Sequence, residues 1–400
     1  MREPNPITRV ELSEKNKILR WIAVIALLVI GAVGITVGIM SLLNKDTGWQ
    51  RVQITTQERS CSENFALMYN YSGSGAEATV VNNKLQTSYA EACVKAYQVF
   101  TPDEEIPGTG NVYSVNHNPN QVLTVDPLLY AAFEKMEEAP WLYLGPAYAH
   151  YYHVIFNADD AWVDDLDPVV SREAKDYLET IAGFAADRDA VSLELLGDNR
   201  VILHVREDYL AFAAEEEIEN FIDFGYLTNA FAIDYLAETL VNQELTAGYI
   251  VSSDGYTRNL DGAHTFSFNI FDRVENLVFP AAVMEYRGPV SLVFLKDYPT
   301  ANSDSNYRGR EDRFLHLFAD PADGVCRTSV ENLVSYSYDA GCADVALAML
   351  PSFVGSEFTV PQGVFSVWCE EELICYNDAR ISFRDLLSSE KMSYRTVLRK

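Results

Sequence analysis

Four short stretches of this chain place polar residues where a backbone can meet a ligand. The first is Phe221-Ile-Asp-Phe-Gly-Tyr-Leu-Thr-Asn-Ala-Phe-Ala-Ile-Asp234, with Asp223, Gly225, Asn229 and Asp234. The second, Ser252-Ser253-Asp254-Gly255, closes an apolar run on small residues. The third, His316-Leu-Phe-Ala-Asp-Pro-Ala-Asp-Gly324, holds His316 and Asp320, and the fourth, Ala343-Asp-Val-Ala-Leu-Ala348, holds Asp344. Small residues let the main chain come close to a ligand, and the free N–H groups of a helix start favour anions, so the chemistry these stretches suit is binding of a phosphate-bearing molecule. Each has a plainer reading. His316 suits a packed strand histidine, Asp344 a helix cap, and Asp223 and Asp234 surface carboxylates. No Ser/His/Asp triad or glycine-rich phosphate loop stands out. No Cys-x-x-Cys pair or Cys/His cluster argues for zinc.

The elements that must position these residues follow from spacing. A short strand is expected to end at Asp223, with a corner at Gly225. A helix then carries Ile233, Leu236, Ala237, Leu240 and Val241 as one apolar stripe. The run Gly248–Gly255 reads as a strand ending in a turn. Upstream, Asn64–Tyr71 reads as a strand and Ser72-Gly-Ser-Gly75 as a turn. Thr79–Phe100 and Asp126–Glu138 read as helices, with a loop from Thr101 to Asn120 between them. Val170–Ala186 is helical, Val191–Val205 a hairpin turning at Gly197-Asp-Asn199, and Tyr209–Asn220 an extra helix. Asp159, Asp160, Asp164, Asp165 and Asp167 crowd one stretch but miss the EF-hand spacing, so a solvated acidic face is expected there. Downstream, Thr265–Ile270, Val290–Leu295 and Val330–Tyr338 read as strands. Gly341–Leu350 reads as a helix stopped by Pro351, and Arg380–Lys400 as a locally basic tail. Strands and helices mix without strict βαβ alternation, which indicates an α+β fold in a single large domain.

Acidic residues outnumber basic ones 58 to 30, a formal charge of −28 that repels phosphate backbones and makes nucleic acid an unsuitable partner. Trp21–Leu43 holds no charged residue and, at helical rise, is long enough to cross a bilayer core of about 30 Å. Lys15, Lys17 and Arg20 precede it, which favours a cytoplasmic leader over residues 1–20, a transmembrane helix over 21–43 and an extracytoplasmic bulk. All six cysteines (Cys61, Cys93, Cys326, Cys342, Cys369 and Cys375) lie beyond that segment, and an oxidising compartment would permit three disulfides. Trp368–Tyr376 suits a hairpin clipped by a Cys369–Cys375 bridge, although connectivity stays open.

The four stretches, in this order and at this spacing, resemble the motifs of the FAD:protein FMN transferases, the ApbE-like or thiamine-biosynthesis-lipoprotein-like family. That family carries I-D-L-G-G-I-A-K-G-Y-A-V-D, a G-G-D strand end, H-I-I-D-P-x-T-G and A-D-A-L-x-T. Ser114-Val-Asn116 and Asp126-Pro-Leu-Leu129 add to the likeness, which spans roughly Asn64 to Phe353. It implies an ApbE-like domain over about residues 60–378, with residues 379–400 as the tail. It also implies a flavin site drawing on Asp223, Gly225, Asn229, Ser252, Ser253 and Asp254. His316 and Asp320 would stand at the catalytic motif, and Asp344 would be a ligand of Mg²⁺.

The motifs are eroded. Five of thirteen residues match in the first; Tyr226 replaces a glycine and Asn229 the lysine, while Ser252 and Ser253 replace paired glycines. Asp323 and Ala348 replace threonines. A glycine exchanged for tyrosine adds bulk where backbone and nucleotide would meet, and the lost lysine removes a cation opposite phosphate. The resemblance therefore implies a degenerate, membrane-anchored extracytoplasmic member that has lost catalysis. It would serve as a binding or structural partner of an envelope flavoprotein or redox complex. The rival expectation is an active Mg²⁺-dependent enzyme that transfers FMN from FAD to a Ser/Thr of a partner.

Overall fold

The structure is a computed structural model that describes residues 47–275, 277–300, 306–310, 313–389 and 392–399. The expected membrane span Trp21–Leu43 and its leader lie outside the described residues. Among the described residues no helix is long and apolar enough to cross a membrane. The chain divides into two compact units. The smaller includes Tyr71–Asn83, where Tyr71 donates to Asn82 at 2.7 Å, and the larger comprises Trp49–Asn70 and Lys84 onward.

The main sheet has nine strands: β1 (Gly48–Arg51), β2 (Phe65–Tyr71), β3 (Gly248–Ser252), β4 (Tyr256–Asn259), β5 (Val290–Lys296), β6 (Asn332–Ser337), β7 (Phe365–Glu370), β8 (Leu373–Tyr376) and β9 (Arg395–Leu398). They lie side by side in sequence order. The pairs from β2 to β8 are antiparallel, and β9 joins β8 in parallel. β5 is buried at every position, the pattern of a strand covered on both faces. One cover is a pair of helices, α1 (Thr228–Asn242) and α2 (Cys342–Phe353), in contact with each other and with the central strands. The other is a separate three-stranded sheet. It consists of the long hairpin Thr265–Val274 and Leu277–Arg287 with Ser382–Arg384 on its edge. Ala282, Met284, Leu292, Val334, Val367 and Ile374 fill the space between the sheets. This is an α+β arrangement.

Most expected elements form, and the differences have local causes. The hairpin at Gly197 turns through Asp198 and Asn199, both at positive φ (52° and 57°), the geometry that Asp and Asn tolerate. In α1, Ile233, Leu236, Ala237 and Leu240 are buried as expected, while Val241 stays exposed at 46%. Pro351 does not stop α2. It lies in the last turn, and the helix runs to Phe353. Phe221–Asp223 joins no sheet. Instead Asn116 Oδ1 accepts the N–H groups of Phe221 and Ile222 at 3.0 Å, and its Nδ2 donates to the Ile222 carbonyl at 2.9 Å. The basic tail is structured: Ser382–Arg384 and β9 are both sheet edges.

All six cysteines are free thiols. Trp368–Tyr376 is a hairpin, but a Cys369–Cys375 bridge is ruled out by register. Cys369 pairs with Ile374 and Cys375 with Trp368, so the two side chains leave the sheet on opposite faces.

Candidate functional site

The site forms where three segments meet. At the first, Gly225 has φ +54°, and a Cβ there would lie 2.6 Å from the Tyr148 ring, so both conformation and space exclude a side chain. Asp223 Oδ1 accepts the Gly225 N–H at 2.8 Å, and burial pushes the Asp223 carboxyl up to about 6. The corner leads into α1, whose Asn229 faces the end of β3. There Asn229 Nδ2 donates to Asp254 Oδ2 at 2.8 Å, the Ser252 hydroxyl donates to Asp254 Oδ1, and Asn64 Nδ2 donates to Asn229 Oδ1 at 3.2 Å. Burial raises the Asp254 carboxyl, while the Ser252 and Asn229 donors and the Lys296 charge pull it back. Tyr152 feels both Asp223 and Asp254, and burial holds its phenol protonated.

Tyr226, Ser253, Asp254, Tyr256, Lys296 and Phe318 line a cavity of about 60 Å³. Tyr226 fills much of the approach. Its ring sits edge-on to Tyr148 at 6.0 Å and 4.9 Å from Phe318, and its carbonyl accepts the Tyr256 hydroxyl at 2.8 Å. Tyr307 covers the Lys296 ammonium at 4.7 Å and donates to the Lys296 carbonyl at 3.0 Å. The segment after Tyr307 is fastened by charge. Arg308 pairs with Asp160, Arg310 with Asp164 and Asp167, and Arg313 with Asp167 at 2.6 Å. Asp159, Asp160, Asp164 and Asp165 are exposed, as expected of a solvated acidic face, whereas Asp167 is fully buried and clamps the segment.

The remaining expected site residues lie apart from this cavity or are occupied. His316 is buried. Its Nδ1 accepts the Phe318 N–H at 3.2 Å, and burial, aided by the Arg273 charge, lowers the imidazole to about 3, so it is neutral. It lies behind the cavity wall formed by Leu317 and Phe318, its ring centroid 5.4 Å from that of Phe318. Asp320 organises the following turn. Its Oδ1 accepts the Ala322 N–H at 3.0 Å, and Arg327 lies 3.4 Å from Oδ2. Asp344 lines a different cleft, of about 570 Å³, and pairs with Lys135 at 2.7 Å in the first turn of α2. Asp234 shares that cleft and caps α2, accepting the Cys342 and Ala343 N–H groups at 2.8 and 2.9 Å with Arg258 at 3.2 Å. The structure thus brings Asp223, Gly225, Asn229, Ser252, Ser253 and Asp254 together and leaves Asp344 with other partners. Sequence reasoning passed over Tyr152, Lys296 and Tyr307. No motif marks them; their roles arise from packing.

The space beside Asp254 is too small for the flavin dinucleotide that the motif resemblance implies, whereas the cleft at Asp344 holds about 570 Å³. A drug-sized ligand takes roughly 300 Å³ or more, several times the space beside Asp254. The carboxylates there and at α2 already have donors, and no group of three or more His, Cys, Asp or Glu is placed to hold a metal among the described residues.

No family model matches the chain. No curated protein matches it in sequence. Among solved structures it is similar to the ApbE protein of Thermotoga maritima, with a TM-score of 0.49 and 12% identity, covering 77% of this chain and 86% of that one. It is also similar to a mutant of the flavin transferase ApbE from Vibrio cholerae, with a TM-score of 0.47 and 12% identity, covering 80% and 92%.

Proposed function

We propose that this chain is a binding or structural protein that keeps the motif layout of an FAD:protein FMN transferase without its transfer chemistry. The observation that carries the reading is the satisfied state of the Asp254 corner. Tyr226 occupies the space a glycine would leave, Asn229 and Ser252 take both oxygens of Asp254, and about 60 Å³ remains. A phosphate-and-metal site needs cations or N–H groups facing open space and carboxylates with free lone pairs. Here those groups are spent on one another, and the corner serves as a rigid joint between α1 and β3.

The experiment is direct. The full chain is incubated with FAD and Mg²⁺, passed through a desalting column and scanned from the near ultraviolet to the blue. An acceptor protein bearing a flavinylation sequence is assayed in parallel for covalent FMN. The expected result is a colourless protein and an unmodified acceptor. Retained flavin, or release of AMP with a flavin-bearing acceptor, overturns the reading in favour of an active transferase. The proposal includes anchoring through Trp21–Leu43 with the bulk outside the cytoplasm, serving an envelope redox complex. Protease digestion of intact cells tests this: an unprotected larger unit supports it and a protected one sinks it.

A further inference from the structure

One pair of cysteines is arranged differently from the rest. Cys61 opens the short turn Cys61–Asn64 that leads into β2, and Cys93 lies on the helix Gly75–Phe100. Cys61 Sγ donates to the Cys93 carbonyl at 3.3 Å, the two thiols are electrostatic neighbours, and Tyr89 is a neighbour of both. Elsewhere among the described residues the cysteines have other neighbours. Cys326 lies by Tyr151, Cys342 donates to the Thr257 and Leu292 carbonyls, and Cys369 and Cys375 occupy opposite faces of their hairpin. We propose that Cys61 and Cys93 form a disulfide when the chain folds in the presence of a disulfide donor, tying the entry of β2 to the helix.

Atoms and electrons balance by thiol–disulfide exchange. The thiolate of one cysteine attacks the donor disulfide, forming a mixed disulfide and releasing one donor thiol. The second cysteine's thiolate then displaces the remaining donor sulfur. The two protein thiols lose two protons and two electrons, and the donor disulfide is reduced to two thiols. Cys93 is fully buried and Cys61 is 9% exposed, so exchange belongs to the folding chain or to a locally opened state and is slow in the finished one. The Cys61 sulfur already lies 3.3 Å from the backbone carbonyl of Cys93, whereas a Cys369–Cys375 link would have to pass through the sheet.

The test uses the full chain refolded once with glutathione disulfide and once with dithiothreitol. Each sample is then unfolded, and free thiols are blocked with iodoacetamide. The oxidised sample is expected to carry four blocked cysteines and the reduced one all six. Non-reducing peptide mapping should join the Cys61 and Cys93 peptides, and the thermal midpoint should rise by a few degrees on oxidation. Cys61→Ala should abolish the link and the reductant-sensitive shift, and Cys375→Ala should keep both. Six blocked cysteines after oxidation, or a link that joins any other pair, overturns the proposal.

Discussion

At the scale of single residues, Asp223 and Tyr226 show how the corner is balanced. Asp223 holds its proton up to about pH 6 in the folded chain, against about 3.9 for a solvated carboxyl. A raised folded value means the proton stabilises the fold. That contribution is complete below about pH 4 and is lost as pH rises through about 6. Asp223→Asn keeps an oxygen for the Gly225 N–H and removes the buried charge. It should therefore be about 3 kcal/mol more stable to unfolding than the parent at pH 7, with the gap narrowing toward pH 4. Urea titrations at several pH values measure it, and a pH-independent gap would contradict the burial of that charge. Tyr226 is packed between Tyr148 and Phe318. Tyr226→Ala should cost about 3–5 kcal/mol and enlarge the cavity. If that variant were as stable as the parent, the filled-corner account of the function would fail with it.

At the scale of elements, two devices hold the site. The capping of α2 by Asp234 replaces the side chain that Gly341 lacks at the helix start, and Arg258 stays paired in the same contact. Asp234→Ala removes the cap and leaves Arg258 without its carboxylate. A loss of about 2–3 kcal/mol in denaturant unfolding is expected. The clamp on the Tyr307 segment depends unequally on its pairs. Asp160 is fully exposed, and an exposed pair contributes about 0–1 kcal/mol, whereas Asp167 is buried between Arg310 and Arg313. Asp167→Asn should therefore speed tryptic cleavage at Arg308, Arg310 and Arg313 several-fold, and Asp160→Asn should leave it nearly unchanged. Equal effects from the two would show that surface charge, and not the buried carboxylate, fastens the segment.

For the larger unit as a whole, the last residues complete the core. Tyr394 donates to the buried Asp272 at 2.5 Å, β9 extends the nine-stranded sheet, and Ser382–Arg384 edges the smaller one. Ending the chain at residue 378 should expose the apolar seam around Ile374 and Val367, with strong binding of a hydrophobic dye or loss of soluble protein. A truncated chain with unchanged dye binding and an unchanged unfolding midpoint would assign these strands no part in the core.

Some of this was legible in residue order alone because it rests on local physics. The stripe of α1, the Asp198-Asn199 turn and the Gly225 corner follow from periodicity and from φ preferences. What a residue meets across the fold was not. Asp344 finds Lys135, Asp167 finds two arginines far along the chain, and the hairpin strand Leu277–Arg287 forms where no clean alternation announces it. The thiols of Cys61 and Cys93 are neighbours although their positions are separated by β2 and most of a helix. Cys369 and Cys375, six residues apart, are kept apart by register. The sequence by itself determined which backbone shapes were available. Only tertiary packing decided which charges, thiols and carboxylates were spent on one another, because those energies depend on distance and burial, which order along a chain does not encode.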